Sequence, residues 1–488
     1  MEFKVNLPYK TNFHSSFSLI KQVTMKLLLN PPKLRHFAVL IAYIFAVSSA
    51  NAATTDTTGT TGGTKAPPPN SSLAATPGLT SLQSATGAGI QTVCGLLTPV
   101  AGSLQGAQKD LFNQCRAMVQ TGNQIQGNGE EGQSLGLGST GLGSALQNVA
   151  TEEMATPSKI STNTLSGQVS TINSHLLNLH KLNLGGGSGD GEGSLISKRI
   201  STFLNVVGGF GDINASTQEN AAKFNNAGMI LGADYRITDH FLTGLAFGYT
   251  HLSADYQKSI DVAGGNTNAD VYNLSLFSTY DIEDFYVDGS FTYGWSNYDV
   301  SRRVVVLSNN SSSTGGANSV ASSNPNGDQY SAALGLGYNF HRAALNMSPV
   351  VRVNYFHGQI DSYSEQGASG LNLAVDKQNF ESLQSSLGGQ ISYAFSQSFG
   401  VITPQASFAW NHEFMNDSRN ITARYSADPN FISFNAVTNS PDRDFVILGA
   451  GVSSVLQGGV QLLFNYQTLL GYDRVTSHGF TGGVRFEF

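Results

Sequence analysis

The chain has 488 residues, 26 Lys and Arg against 33 Asp and Glu, a formal charge of −7, and only 12% charged residues. A mildly acidic chain of this length carries no footprint for nucleic acid and suits one large domain behind a smaller region. Outside the N-terminal region no apolar run reaches the roughly 18 residues a spanning helix needs, so a membrane crossing would have to be made by strands.

Met1 to Thr24 shows no organisation. From Met25, read as an alternative initiator, Lys26, Lys33 and Arg35 supply a basic n-region, Phe37 to Val47 a short apolar core, and Ala50-Asn51-Ala52 an A-x-A cleavage site. This pattern predicts a secretory signal peptide over residues 1–52. An N-terminal membrane anchor is the other reading, and it calls for a longer apolar core. Ala53 to Thr80 is rich in Thr, Gly, Pro and Ser and lacks the apolar content to offset the entropy of ordering, which predicts a flexible, exposed N-terminus.

Between Ile90 and Val119, Leu104, Ala107, Leu111, Cys115 and Met118 recur at helical spacing, after a Cys94 segment broken by Pro99. The expectation is a small helical hairpin around residues 90–120. Cys94 and Cys115 are the only cysteines. In an exported chain, two cysteines flanking a short hairpin predict a disulfide, worth about 3 kcal/mol on the loop-entropy estimate. Metal binding is the alternative, but no His lies in this segment to complete a ligand set.

Gly127 to Gly143 reads as irregular, and helix returns over Ala145 to Ala155 and again over Gln168 to Lys181. In the second, Val169, Ile172, Leu176 and Leu179 make a narrow apolar stripe flanked by Ser170, Asn173, Ser174 and Asn178. A helix of about fourteen residues spans roughly 20 Å, most of a hydrocarbon core. Gly185 to Gly193 follows as a swivel. Its Asp190 and Glu192 raise the question of calcium, but a single copy does not fit the nonapeptide repeat, and a solvated linker is the better reading. His175 and His180 are spaced wrongly for a two-His metal face on a helix. No nucleophile with its base, and no metal set, is found between Ala53 and Gly193, so neither catalytic residues nor a cofactor is expected.

From about Arg199 the sequence becomes a train of segments alternating with period two. Tyr330, Ala332, Leu334, Leu336, Tyr338 and Phe340 oppose Ser331, Ala333, Gly335, Gly337 and Asn339. Val287, Phe291, Tyr293 and Trp295 oppose Asp288, Ser290 and Thr292. Phe241, Leu245, Phe247 and Tyr249 repeat the pattern. So do Val351, Val353 and Tyr355 against Arg352 and Asn354, and Leu387, Ile391, Tyr393 and Phe395 against Ser386, Gln390 and Ser392. About twelve strands are counted, near residues 200, 231, 247, 275, 291, 335, 353, 389, 406, 449, 465 and 483. The connections alternate between long (Asp212 to Asn225, Ser253 to Asn268, Ser301 to Asp328, Asp361 to Lys377, Met415 to Pro441) and short, the last, Gly471 to Ser477, being intermediate. A soluble sandwich has no reason to keep that alternation, whereas a membrane barrel has short periplasmic turns and longer outer loops. Aromatics near strand ends, such as Tyr280, Tyr338, Phe395 and Trp410, fit interfacial girdles and fit a soluble core equally well.

The last strand, Phe480 to Phe488, sets Phe480, Gly482, Val484, Phe486 and Phe488 against Thr481, Gly483, Arg485 and Glu487. Alternation alone also suits a soluble half-buried strand. Ending on the aromatic leaves no charged tail to cover a free edge, which favours a closed barrel. This terminus resembles the closing-strand signal of bacterial outer-membrane proteins. The resemblance implies that Phe480, Val484, Phe486 and Phe488 are read by the barrel-assembly machinery.

Residues 195–488 resemble the translocator domain of autotransporters (type V secretion). The strand train carries the likeness, with Arg443-Asp444-Phe445-Val446-Ile447-Leu448-Gly449-Ala450-Gly451, Leu463-Phe464-Asn465-Tyr466 and the Phe-terminated strand. The implied fold is all-β: a roughly 12-stranded antiparallel transmembrane β-barrel with a preceding pore helix and a small helical or disordered N-terminal region. The implied organisation is a passenger over 53–154, a linker and pore helix over 155–194, and the barrel thereafter. Asp288, Arg352, Arg485 and Glu487 are expected to face the lumen and meet Asn173 and Asn178, the apolar stripe lying along Gly335 and Gly337. Outer-membrane lipid, periplasmic chaperones and the assembly machinery are the implied partners of a monomer, with the passenger at the cell surface.

Two departures stand out. The passenger is short, without the long repeated β-helix common in the family. The helix has only isolated Asn173, Asn178 and Asn183 where self-cleaving members carry an Asn-Asn pair. Against the translocator stand a porin or adhesin barrel with a periplasmic N-terminal extension and, more remotely, a secreted hydrolase with its own barrel.

Overall fold

The computed structural model describes residues 72–488 apart from 129–130, 151, 185–198, 217 and 259–262, and leaves undescribed the side chains of residues 131, 152, 161–165 and 180–184. The signal-peptide reading, most of the flexible N-terminus and the glycine swivel lie outside these residues.

Twelve antiparallel strands close into a barrel. They are β1 (Ile200–Ile213), β2 (Ala222–Thr238), β3 (Phe241–Tyr256), β4 (Gly265–Ile282), β5 (Phe285–Val306), β6 (Asn326–Tyr338), β7 (Leu345–Ile360), β8 (Gln378–Tyr393), β9 (Gly400–Glu413), β10 (Asp444–Leu456), β11 (Gln461–Leu470) and β12 (Val475–Glu487). Each pairs with its sequence neighbour. The seam is closed by β1 against β12, from Ser201 opposite Glu487 to Ile213 opposite Val475. The Phe488 N–H donates to Ile200 O at 2.8 Å, so the ladder runs to the last residue. No backbone edge is left for lipid, where an unpaired group costs several kcal/mol. The first strand extends well past residue 200, so its centre lies further along the chain than the alternation suggested.

The outward faces are those the alternation assigns. Leu245, Phe291, Leu387 and Phe408 are each at least half exposed, while Asp288, Thr292 and Ser331 are buried inside. At one end the strands meet in tight turns. That between β10 and β11 places Gly458 and Gly459 at φ +91° and +87°, a backbone that only glycine enters without strain. At the other end the connections are long, but they are not irregular. Residues 361–377 and 414–443 contribute Tyr363–Ser364, Leu373–Val375, Asn420–Tyr425 and Ser433–Val437 to a separate four-stranded sheet. Ala317–Ser323 extends the barrel wall by pairing with the far end of β5.

Ahead of the barrel come α1 (Ser81–Leu97), α2 (Gly106–Ile125), α3 (Ser139–Asn148) and α4 (Thr156–Leu184). The Thr80 hydroxyl accepts from Gln83 N, and the Gln83 carboxamide oxygen accepts from Thr80 N, a reciprocal cap that fixes where α1 begins. Pro99 falls in the 3₁₀ turn Thr98–Ser103, which leads the chain from α1 into α2. Two expectations fail here. Leu73 and Thr76 are buried, Leu73 against Gly122 where a larger residue would collide, so the end of the supposedly flexible stretch is packed. The glycine-rich segment contains the first half of α3, whose Leu142 is fully buried.

The three short helices do not form a core of their own. Ile90, Leu111, Met118 and Leu142 belong to one continuous hydrophobic cluster with Val304 of β5, Leu371 and Leu373 of one long loop, and Ile421 and Tyr425 of another. They are therefore a cap built into the long-loop end of the barrel.

Candidate functional site: a plugged lumen under a loop-bound cap

The helix α4 has 29 residues, about twice the length read from its apolar stripe. Its Thr-, Ser- and Asn-rich first half carries no stripe, and the wall supplies its partners instead. At the long-loop end, Tyr256 Oη donates to Glu153 O at 2.9 Å and Gln378 Nε2 to Met154 O at 3.2 Å, just before the helix. Lys159 pairs with the buried Glu219, and Arg419 Nη2 donates to Ser158 Oγ at 2.9 Å. Further in, Gln168 Nε2 reaches Ser275 Oγ at 3.1 Å, and Ser170 Oγ reaches Gln467 Oε1 at 3.1 Å.

Nearer the turn end, His175 Nε2 lies 3.1 Å from Asp234 Oδ2. Asp234 also receives Arg485 Nη2 at 3.1 Å and the Ser201 hydroxyl, while Arg485 bonds Glu487 as well. One network thus ties the plug to β1, β2 and β12, across the closing seam. Charged hydrogen bonds of this kind are the stronger class, and every member here is buried or nearly so. The His175 ring packs at a tilt against Phe203, with centroids 4.0 Å apart.

The apolar stripe is used, but not where expected. Ile172, Leu176 and Leu179 pack on Phe203, Ile230, Leu242, Ala246 and Phe277, which come from β1 to β4. At Gly335 and Gly337 the space beside the backbone is filled by Arg352 and by Tyr286, not by the helix. The glycines that admit the plug are Gly248, against Gln168, and Gly232 and Gly244, which make room for the rings of Phe203 and Phe277. Inward-facing aromatics opposite glycines were the available signal.

Of the expected lumen residues, Asp288 and Arg352 pair with each other at 3.5 Å, and both are buried. Arg485 and Glu487 also face inward, joined to the helix through Asp234 and His175. Asn173 and Asn178 line a cavity of about 190 Å³ on the other flank of the helix, facing Arg352, Asn354, Gln390 and Asn465. Sequence reasoning missed Asp234 and Ser201 altogether and took His175 only as an unsuitable metal ligand.

The cap is fastened by a second buried pair. Arg302 of β5 makes a two-pronged contact with Glu365, Nε to Oε1 at 3.0 Å and Nη2 to Oε2 at 2.6 Å. Its remaining donors reach Asn148 O at the end of α3 and Leu371 O, each at 3.1 Å. Glu365 in turn accepts from Leu373 N at 2.8 Å. Barrel, loop and cap meet at this one guanidinium.

Cys94 and Cys115 are both buried and stand as free thiols. Burial, and then the hydrogen bond with Cys94, push the Cys115 thiol up, so little thiolate is present once the hairpin is packed. The expected disulfide would have to form before packing. Non-reducing mass analysis of the protein isolated from the outer membrane is expected to show the pair oxidised, with no thiol labelled after denaturation. Labelling of both would refute the bridge.

Phe480, Phe486 and Phe488 project outward and are 38%, 42% and 67% exposed on the barrel surface, with Val484 on the same face.

The autotransporter beta-domain profile matches residues 202–467. Esterase EstA of Pseudomonas aeruginosa is 26% identical over 240 residues, covering 48% of this chain and 35% of the esterase. An extracellular serine protease of Serratia marcescens is 25% identical over 273 residues, 54% of this chain and 24% of the protease. The chain thus spans well under half the length of either relative. Among solved structures, the translocator domain of NalP from Neisseria meningitidis aligns with a TM-score of 0.47 at 17% identity, covering 65% of this chain and 98% of that domain. With the match extending over more than half its length, this chain belongs to the autotransporter family and its barrel is an outer-membrane β-domain.

Proposed function

We propose that residues 53–154 are a short passenger that this barrel carries to the surface and keeps there, docked on its own long loops, with α4 left behind as the plug. The shared hydrophobic cluster of cap, loops and outer strand ends supports this reading. So does the course of α4, whose first residues lie at the long-loop end and whose His175 lies near the turns where β1 begins. A porin with a periplasmic N-terminal extension would put residues 72–150 at the opposite end.

The role is anchoring, not catalysis. Esterase and protease are names of relatives, and residues 53–174 of this chain contain no histidine to serve as a base. The barrel works as a monomer, delivered by periplasmic chaperones and inserted by the assembly machinery. An epitope inserted at Gly102, which has open space around it, is expected to be reached by antibody on intact cells. Signal only after the outer membrane is permeabilised would overturn the reading.

The terminal ring is assigned to assembly. Phe488→Ser removes outward apolar burial worth roughly 1.5–3 kcal/mol, which a large closed barrel tolerates. Membrane yield of the variant is nonetheless expected to drop far below that of the wild type. Normal yield would contradict the assignment.

A further inference from the structure

Three side chains from separate parts of the chain meet where α4 leaves the cap. Lys159 lies in the first turn of α4, Glu219 in the connection between β1 and β2, and Asn439 in the connection between β9 and β10. The Glu219 side chain is only 6% exposed, and its Oε2 accepts from both the Lys159 ammonium and Asn439 Nδ2, the latter at 2.7 Å. Its Oε1 accepts from Asn439 N at 3.1 Å. One buried carboxylate oxygen thus holds an amine beside a carboxamide.

The Ser216 hydroxyl lies on the same carboxamide, with Oγ 3.2 Å from Asn439 Oδ1 and 3.0 Å from Nδ2. The N–H groups of Gln218 and Glu219 donate to Ser216 Oγ at 3.0 and 2.9 Å, which leaves its own proton for Oδ1 and polarises the carbonyl. The neighbours of the amine and the amide are held by a single residue. Arg419 Nη2 donates to Ser158 Oγ at 2.9 Å, while its backbone pairs with Thr438, N to Oγ1 at 3.0 Å and Thr438 N to Arg419 O at 2.9 Å. Its guanidinium lies over the Phe380 ring, 5.3 Å from the centroid. An ion pair needs only its two members. A carboxamide on the same oxygen, with its carbonyl polarised, completes the set of nucleophile, proton relay and electrophile, held together without an entropy cost of encounter.

We propose that Lys159 and Asn439 join in a self-catalysed isopeptide bond, with Glu219 as the proton relay. The reaction starts from the ordinary charges, ammonium and carboxylate. Glu219 takes one proton from Lys159, and the freed Nζ lone pair attacks Asn439 Cγ. The Cγ–Nζ bond forms and the Cγ–Nδ2 bond breaks, while the carboxylate relays two Nζ protons in turn to Nδ2. Nitrogen leaves as ammonium, Glu219 ends as the carboxylate it began as, and no oxidant or co-reactant is consumed. The bond makes attachment of the cap independent of the chain that follows: a cut between Lys159 and β1 would not release the residues ahead of it.

The test uses the full chain taken from the outer membrane, denatured, digested with trypsin and read by mass. An acylated Lys159 is no longer a cleavage site, so the expected product joins residues 117–181 to residues 425–443 and is lighter than the two together by one ammonia. Free 425–443 is expected to be lost from the digest. It is expected to return in Glu219→Gln, which keeps nucleophile and electrophile but not the relay, and in Lys159→Arg, each with its barrel verified by an unboiled mobility shift. Wild type that yields free 117–159 and free 425–443 holds an ion pair only and overturns the proposal. A link that survives in folded Glu219→Gln overturns it as well. The wild-type digest decides even where a variant does not fold.

Discussion

Deleting Ser166–Leu184 is expected to raise single-channel conductance in planar bilayers several-fold, as unblocking a pore does. The helix runs along one flank of the lumen, and a cavity of about 190 Å³ lies on its other side. Burial of Ile172, Leu176 and Leu179 against β1 to β4 is worth roughly 1.5–3 kcal/mol for each side chain. The contact of His175 with Asp234 adds a buried charged hydrogen bond. A deletion of residues 72–184, which removes the cap too, is expected to conduct at least as well. Unchanged conductance in both would place the helix outside the lumen.

The second large effect concerns the fastening of the cap. Arg302→Met leaves Glu365 as an uncompensated buried carboxylate, a loss on the order of 3–5 kcal/mol. It also takes the donors from Asn148 O and Leu371 O. The expected result is a cap that opens on the cell surface, so that trypsin cuts at Lys109 and Arg116 on intact cells, where the wild type resists. Arg302→Met/Glu365→Met replaces the pair by apolar bulk and should recover much of the resistance. It does not recover all of it, because three backbone groups stay unsatisfied. Equal cleavage of wild type and Arg302→Met would show that the pair does not hold the cap.

The barrel was readable from the sequence because closure in lipid imposes two independent patterns at once, period-two faces and alternating loop lengths. The face assignments of Asp288, Arg352, Arg485 and Glu487 followed from parity alone. Parity cannot say which inward residues meet across the lumen, because that depends on curvature and on the rotation of the helix. Asp234 was one of several polar positions in β2, with nothing local to tie it to His175 or Arg485. The first half of α4 was invisible for a related reason, since Thr, Ser and Asn favour caps and turns over helix interiors and only the surrounding wall fixes them in a helix. The docking of the cap did leave a trace. Leu373-Ala374-Val375 is a short apolar run and Ile421, Ala423 and Tyr425 alternate with polar residues, more strand-like apolar content than a solvated loop requires, and these are the surfaces the short helices cover.

The course of α4 also makes the molecule a ring with its own chain as an axle. The cap, with its loop sheet, is a stopper at one end, and the strand seam is the rim. Pulling the chain back toward the turn end would drag a folded cap against a closed ring of backbone hydrogen bonds, whereas outward tension meets first the side-chain contacts along the axle and then the covalent link from α4 to β1. The assembly is therefore a mechanical fastener whose inward and outward limits have different origins. Its resistance to inward withdrawal is set by the unfolding of the cap, and the strength of the axle contacts in the lumen governs only outward slippage.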